Sequence, residues 1–281
     1  MKIGIALSGG GMRGIAHAGV FKALEENNIN IEVYTGTSSG SHVAFLKSIG
    51  YSSKEIYDLF NKYAFELVGN SLDPIIFDSI LFNKEIKFEG FRSGKPIEDL
   101  YSKIALENGV TNINEIEIPL GIVATNITDE KEAVFTSKGI KDDKEIEYIN
   151  DIDIGKAIRA SSSFSVVFDP CKINNKTYID GGVVNNIPTN IARKLGADKV
   201  ISVRFKSDRI KSESNIIDIG IKTLDMMSNR ISLQNIKDSD IAIEVDTDGT
   251  SLLDIQNVDY CFESGYKMAM RYMDKIKKIL E

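Results

Sequence analysis

The chain has 281 residues, 42% hydrophobic and 27% charged, ordinary globular usage at a length able to bury a sizeable core in one large domain. Its net charge of −7 argues against nucleic-acid binding, which draws on a basic face, and two cysteines, Cys171 and Cys261, are too few for a disulfide scaffold and point to a reduced, cytoplasmic home. The N-terminal apolar run stops at Ser8 and no apolar segment of about 18 residues occurs, so neither an export signal nor a membrane span is expected.

Residues 2–7, KIGIAL, read as a short strand that breaks at SGGGMRG and resumes as a helical apolar pattern in GIAHAGVFKALEENN. The stretch NIEVYTGTSSGSHVAFLKSIG repeats that order, with a strand near 31–35, a turn at 36–40 and a helix to about 49. Two such units in succession imply a parallel sheet with helices on its faces. From about 51 to 110 the pattern is irregular and mostly helical, broken at Pro74 and Pro96, and reads as an insertion packed over the sheet. Strands return in IPLGIVATNIT and EAVFTS, followed by a helix in DIGKAIRASSS and a hairpin in CKINNKTYIDGG. PTNIARKLGADKVISVRF then supplies a Pro-initiated helix and a strand. Residues 215–236 read as helix and IAIEVD as strand. The last helix aligns Phe262, Tyr266, Ala269, Met273, Ile276 and Leu280 on one face, as a helix docked on the core does. No internal repeat or flexible linker divides the chain. We therefore expect a single α/β domain over 1–281, a mainly parallel central sheet flanked by helices, with 51–110 a helical cap and 207–281 a C-terminal extension of the same domain.

The string GTSSG at 36–40 fits G-x-S-x-G and places Ser38 between Gly36 and Gly40 at a strand-to-helix turn. Such an elbow lifts a serine hydroxyl off the sheet, needs glycine where a β-carbon would collide, and aims the next helix's N–H groups at the reacting centre. Read blandly, the same serine is a helix N-cap. A nucleophilic serine needs a base. The only histidines, His17 and His42, flank the elbow, whereas the histidine of an α/β-hydrolase triad comes last in the chain. Both read as packing or capping residues, which leaves a carboxylate as the base. Asp180 in YIDGGVVNNIP ends a strand before Gly181 and Gly182, a turn that can present it at the sheet edge, although Asp-Gly is also a common hairpin turn. The opening GGGMRG satisfies a dinucleotide fingerprint through Gly9, Gly11 and Gly14. It lacks the acid that would hold the ribose, because the second strand runs straight into the serine turn. Successive glycine amides ahead of a helix suit an oxyanion nest instead. A dinucleotide-binding oxidoreductase and a catalytically silent lipid-binding module remain the alternatives.

Taken together and in order, GGGMRG, GTSSG, AIRASSSFSVVFDP and DGGVVNNIP resemble the patatin-like phospholipases, over residues 7–188. The resemblance implies that Ser38 is the nucleophile and Asp180 the base of a Ser-Asp dyad. It also implies an oxyanion hole from the backbone of Gly9, Gly10, Gly11 and Met12, with Arg13 and Gly14 supporting the loop. The implied substrate is a lipid acyl ester met in transient contact with a membrane surface. No metal, organic cofactor or nucleic acid is implied, and the oligomeric state is open. The chain departs from the family at Ser165, usually proline, and at Ser41, commonly alanine. Apolar residues of the insertion, Phe60, Tyr63 and those within 65–82, are expected to line an acyl channel.

Overall fold

The computed structural model describes residues 1–68, 92–140, 144–165, 167–206, 216–250 and 256–280. Strand β1 (Ile3–Leu7) pairs in parallel with β2 (Val33–Thr37) on one side and with β8 (Lys199–Phe205) on the other. The sheet continues outward from β8 to β9 (Ile241–Val245). From β2 it passes to β3 (Leu120–Asn126), β4 (Lys131–Thr136) and β5 (Ile146–Ile149), with β3 and β4 antiparallel. A hairpin of β6 (Cys171–Ile173) and β7 (Lys176–Asp180) joins through β7, which lies antiparallel to β3. The architecture is the expected mainly parallel sheet between helices.

Alternation along the strands divides the apolar residues between two cores. From β1, Ile5 and Leu7 face a large core with helices α1 (Ile15–Glu26), α2 (Ser39–Ser48), α3 (Ser53–Val68), α4 (Lys95–Glu107), α5 (Ile154–Ser161) and α8 (Val258–Leu280). Ala6 faces a smaller core with Val33, Val123 and helix α6 (Thr189–Lys194). Covered on both faces, the central strands carry continuous apolar runs. One further helix, α7 (Ile216–Asn235), lies at the C-terminal end of the strands beside the site described below.

Strand β2 runs two residues later than the sequence pattern indicated. The pattern also missed β5, a short strand with three of its four residues only half-buried, which gives little alternation to detect. Within 51–110, Ile56, Phe60, Ile97, Tyr101 and Ile104 are buried in the large core, so much of the insertion's apolar content is ordinary packing. The expected channel residues of 65–82 lie outside the described side chains.

Helix α8 docks on α1 through glycine. A β-carbon on Gly19 would stand 1.9 Å from the Phe262 carbonyl oxygen, and one on Gly265 would stand 2.0 Å from that of Ala16. The backbones therefore meet directly, and Phe262, Met273 and Ile276 are buried, each contributing about 1.5–3 kcal/mol. Gly19→Ala is expected to lower stability by about 1–3 kcal/mol through overpacking at this contact, read as a lower denaturant midpoint with an unchanged slope.

Candidate active site

On β3, Val123 pairs with Thr37, the last residue of β2, while the next residue, Ala124, pairs with Asp180, the last residue of β7. The two strands thus meet C-terminus to C-terminus on one edge of β3, and that junction brings Ser38 and Asp180 together. Only a glycine can follow Asp180 here, because a β-carbon on Gly181 would lie 2.4 Å from the Val123 carbonyl oxygen.

Ser38 has φ 52 and ψ −127, a left-handed conformation that costs a non-glycine residue about 1–3 kcal/mol. Its surroundings enforce it. The Ser38 N–H donates to Ser161 Oγ at 2.9 Å, and that hydroxyl donates in turn to the Val123 carbonyl at 2.6 Å. The Ser38 carbonyl accepts from the Ser41 amide at 2.8 Å and hydroxyl at 2.6 Å. A β-carbon on Gly36 would fall 2.3 Å from the Gly40 carbonyl oxygen, and one on Gly40 would fall 2.3 Å from that of Leu7. The turn closes only because both flanking residues are glycine.

Asp180 is 4% exposed. Its amide donates to the Ser163 carbonyl at 3.0 Å, its carbonyl accepts from Thr125 Oγ1 at 2.9 Å, and its Oδ1 accepts from the Gly182 amide at 2.8 Å. The buried Oδ2 has no regular hydrogen bond. Burial raises the carboxyl pKa to about 6, against the smaller lowering effects of the nearby Ser38 hydroxyl and the Gly182 amide. A carboxyl so tuned is ionised at neutral pH and is a far better base than a solvated aspartate.

Neither histidine reaches Ser38 as a base. Both ring nitrogens of His42 are engaged, Nδ1 with the Tyr101 hydroxyl at 2.9 Å and Nε2 with Ser162 Oγ at 2.7 Å, and burial pushes its pKa down to about 3. His17 donates from Nε2 to the Ser8 carbonyl at 2.9 Å and packs against Phe205, with a pKa of about 4. Its role is to hold the entrance to the glycine loop.

In that loop Gly11 has φ 58, and a β-carbon on Gly10 would enter the Phe205 ring at 2.4 Å. Of the four expected oxyanion donors, the Gly9 amide is engaged by Asn186 Oδ1 at 3.1 Å. The amides of Gly10, Gly11 and Met12 meet no backbone acceptor among the described residues. Arg13 is buried, donates from Nε to the Gly10 carbonyl at 3.2 Å, and pairs with Asp225 of α7 at 3.1 Å. A β-carbon on Gly14 would strike Ser39 Cβ at 2.5 Å, which packs the loop against the elbow.

These parts line one cleft of about 950 Å³, open mouth included. Phe60, Ile97, Phe164, Val167 and Phe168 give it an apolar wall. Asn186 and the α7 residues Asp225, Ser228 and Asn229 add polar lining, alongside Ser38, Asp180 and the glycine loop. Ser165 lies in the short loop carrying the apolar wall, where the amides of Val167 and Phe168 donate to the Phe164 carbonyl. A strained serine hydroxyl beside a buried carboxylate and a row of amides is an arrangement that can carry out acyl transfer. Nothing in the sequence pattern marks the pinning by Ser161 and Ser163 or the contribution of α7. The serines lie in a run of small residues that gives no sign of which partner each meets, and α7 carries no motif.

The sequence model of the patatin-like phospholipases matches residues 5–193. The chain is 33% identical over 195 residues to the probable lipid hydrolase 463L of Invertebrate iridescent virus 6, covering 68% of this chain and 63% of that protein. It is 30% identical over 201 residues to the lysophospholipase NTE1 of Meyerozyma guilliermondii, covering 72% of this chain but 12% of that much longer one. Its fold resembles that of VipD from Legionella pneumophila with a TM-score of 0.53 at 16% identity, over 98% of this chain and 67% of VipD. Among the described residues no helix is long and apolar enough to cross a membrane.

The buried carboxyl has a stability signature. With the folded pKa raised to about 6 from 3.8, its contribution is fully present below the unfolded pKa and is lost as pH rises through about 6. Asp180→Asn is therefore expected to be more stable than the parent at pH 8, by on the order of 3 kcal/mol, and to lose that advantage by pH 4. Denaturant titrations at the two pH values measure the difference.

Proposed function

This chain belongs to the patatin-like phospholipase family, and from that premise we propose that it is a serine lipid acyl hydrolase working through a Ser38-Asp180 dyad. The observation that carries the proposal is the junction on β3, where a serine held in a left-handed turn abuts a buried carboxylate with a pKa of about 6. Asp180 accepts the Ser38 proton as Oγ bonds to the ester carbonyl carbon. The oxygen that becomes negative is met by the amides of Gly10, Gly11 and Met12, with the Gly9 amide reserved for holding the loop to Asn186. As the carbon–oxygen bond to the alcohol breaks, Asp180 returns the proton to the departing oxygen, which leaves the acyl group on Ser38. Water then attacks the acyl-serine, giving its proton to Asp180, and the fatty acid leaves as Ser38 recovers its hydrogen.

The apolar wall suits the acyl chain. Phospholipids, lysophospholipids and related acyl esters, met in transient contact with a membrane surface, are the substrate class that fits it. Cys171 and Cys261 are both buried thiols, as suits a cytoplasmic setting.

Ser38→Ala and Asp180→Asn are each expected to lower turnover of a water-soluble short-chain ester by on the order of 10³-fold or more, with the double variant little worse than either. A fluorophosphonate probe should label the parent at Ser38. Near-normal turnover in Asp180→Asn contradicts the dyad. For the parent, kcat/KM should rise with pH through about 6 and then level off, as the free enzyme's carboxyl ionises. Gly11→Val should lower kcat by about 10²-fold with the fold retained; normal turnover would place the oxyanion donors elsewhere.

A further inference from the structure

The polar wall of the cleft comes largely from a helix beyond residue 193, where the family match ends. On α7, Asp225 is already committed to ion pairs with Arg13 at 3.1 Å and Lys222 at 2.9 Å. Asn229 donates from Nδ2 to the Asp225 carbonyl at 2.8 Å. Ser228 and Asn229 both line the cleft, and neither the Ser228 hydroxyl nor Asn229 Oδ1 makes a hydrogen bond among the described residues. The helix is held in place by Ser232, whose hydroxyl donates to the Ser228 carbonyl at 2.8 Å and accepts from Asn186 Nδ2 at 2.9 Å.

Gly182 shows where this wall stands relative to the dyad. A β-carbon there would lie 3.1 Å from both Asp180 Oδ1 and Ser228 Oγ, and 3.3 Å from Asn186 Oδ1. The Ser228 hydroxyl is thus within two contact lengths of the carboxylate, with only a glycine surface between them. A departing alcohol has to stand beside the Asp180 carboxyl to receive its proton, within the same cleft that Ser228 and Asn229 line. The acyl chain has the apolar lining of Phe60, Ile97, Phe164, Val167 and Phe168.

We infer that α7 forms the leaving-alcohol subsite, where Ser228 and Asn229 select esters whose alcohol carries a further free hydroxyl; the inference rests on the acyl-hydrolase reading above. A hydroxyl both donates and accepts, so it can satisfy Asn229 Oδ1 and Ser228 Oγ together. A plain alkyl alcohol leaves both unpaired, and a site built to hydrogen-bond a hydroxyl discriminates against the analogue that lacks it.

Ethyl octanoate and 2-hydroxyethyl octanoate share an acyl group and differ by one hydroxyl. Offered to the full chain as competing substrates, they give a ratio of kcat/KM values that is independent of how much of a preparation is folded. The parent is expected to prefer the hydroxyethyl ester, and Ser228→Ala and Asn229→Leu are each expected to reduce that ratio by about threefold to tenfold. An unchanged ratio in both variants overturns the subsite. Failure of the parent to hydrolyse either ester overturns the acyl-hydrolase reading, and the subsite with it. A second pair, 1-octanoylglycerol and 1-octanoyl lysophosphatidylcholine, separates the sources of the hydroxyl. Sensitivity of either substrate to the two substitutions supports the subsite and names its source, and sensitivity of neither overturns it.

Discussion

Strand β3 is longer than β2, and the part of its edge that β2 leaves unpaired is taken up by β7 arriving from the opposite direction. Because β2 stops opposite Val123 and β7 stops opposite Ala124, the residues at and after those ends are forced into one small volume at the middle of the sheet. Backbone groups in such a gap have lost their ladder partners and must find others. Ser161 supplies one, bridging the Val123 carbonyl to the Ser38 amide, and Ser163 supplies another by accepting from the Asp180 amide. The end of α5 is thus the clamp that holds both residues of the proposed dyad at once, and the small size of its serines lets the backbones come that close.

The same gap explains the electrostatics. Asp180 is buried without a cation on its carboxylate, held by one amide and the neighbourhood of a hydroxyl. In stability terms this is unfavourable, since a buried ionised group with an unpartnered oxygen is costly. In chemical terms it is useful, because the cost appears as a raised pKa and therefore as basicity. The left-handed Ser38 is a second local cost at the same place, offset by the hydrogen bonds around it. Strain and desolvation concentrated at one junction of an otherwise apolar, well-paired sheet are what a reactive site requires of its scaffold.

Around this junction the cleft is assembled from elements of different kinds. The glycine loop, the elbow and the aspartate turn all lie at strand ends and are rigid by construction. The rest of the lining comes from elsewhere: α3, α4 and the loop after α5 supply its apolar residues, and α7 from the C-terminal third supplies polar ones. Arg13 ties the two regimes together, since one guanidinium bonds the Gly10 carbonyl of the loop and the Asp225 carboxylate of the wall. Dividing the labour this way lets the walls change chemistry while the junction stays as it is.

Sequence alone determined the parallel α/β layering, because strand–loop–helix units with short apolar strands have few other ways to bury their faces. It also determined the glycines of the elbow and of the loop, because close approach and positive φ leave local marks that no other residue type can satisfy. The pairing of Ser38 with Asp180 was readable only as chemistry, as a hydroxyl that needs a base and a carboxylate poised before a turn. Their proximity depends on where β2 and β7 end along β3, a matter of register between segments far apart in the chain. The commitment of the Gly9 amide to Asn186, the occupation of both nitrogens of His42, and the entry of Ser228 and Asn229 into the cleft left no trace in composition, spacing or periodicity. Each is a contact between ordinary residues at long separation, and only tertiary packing decides which such residues meet.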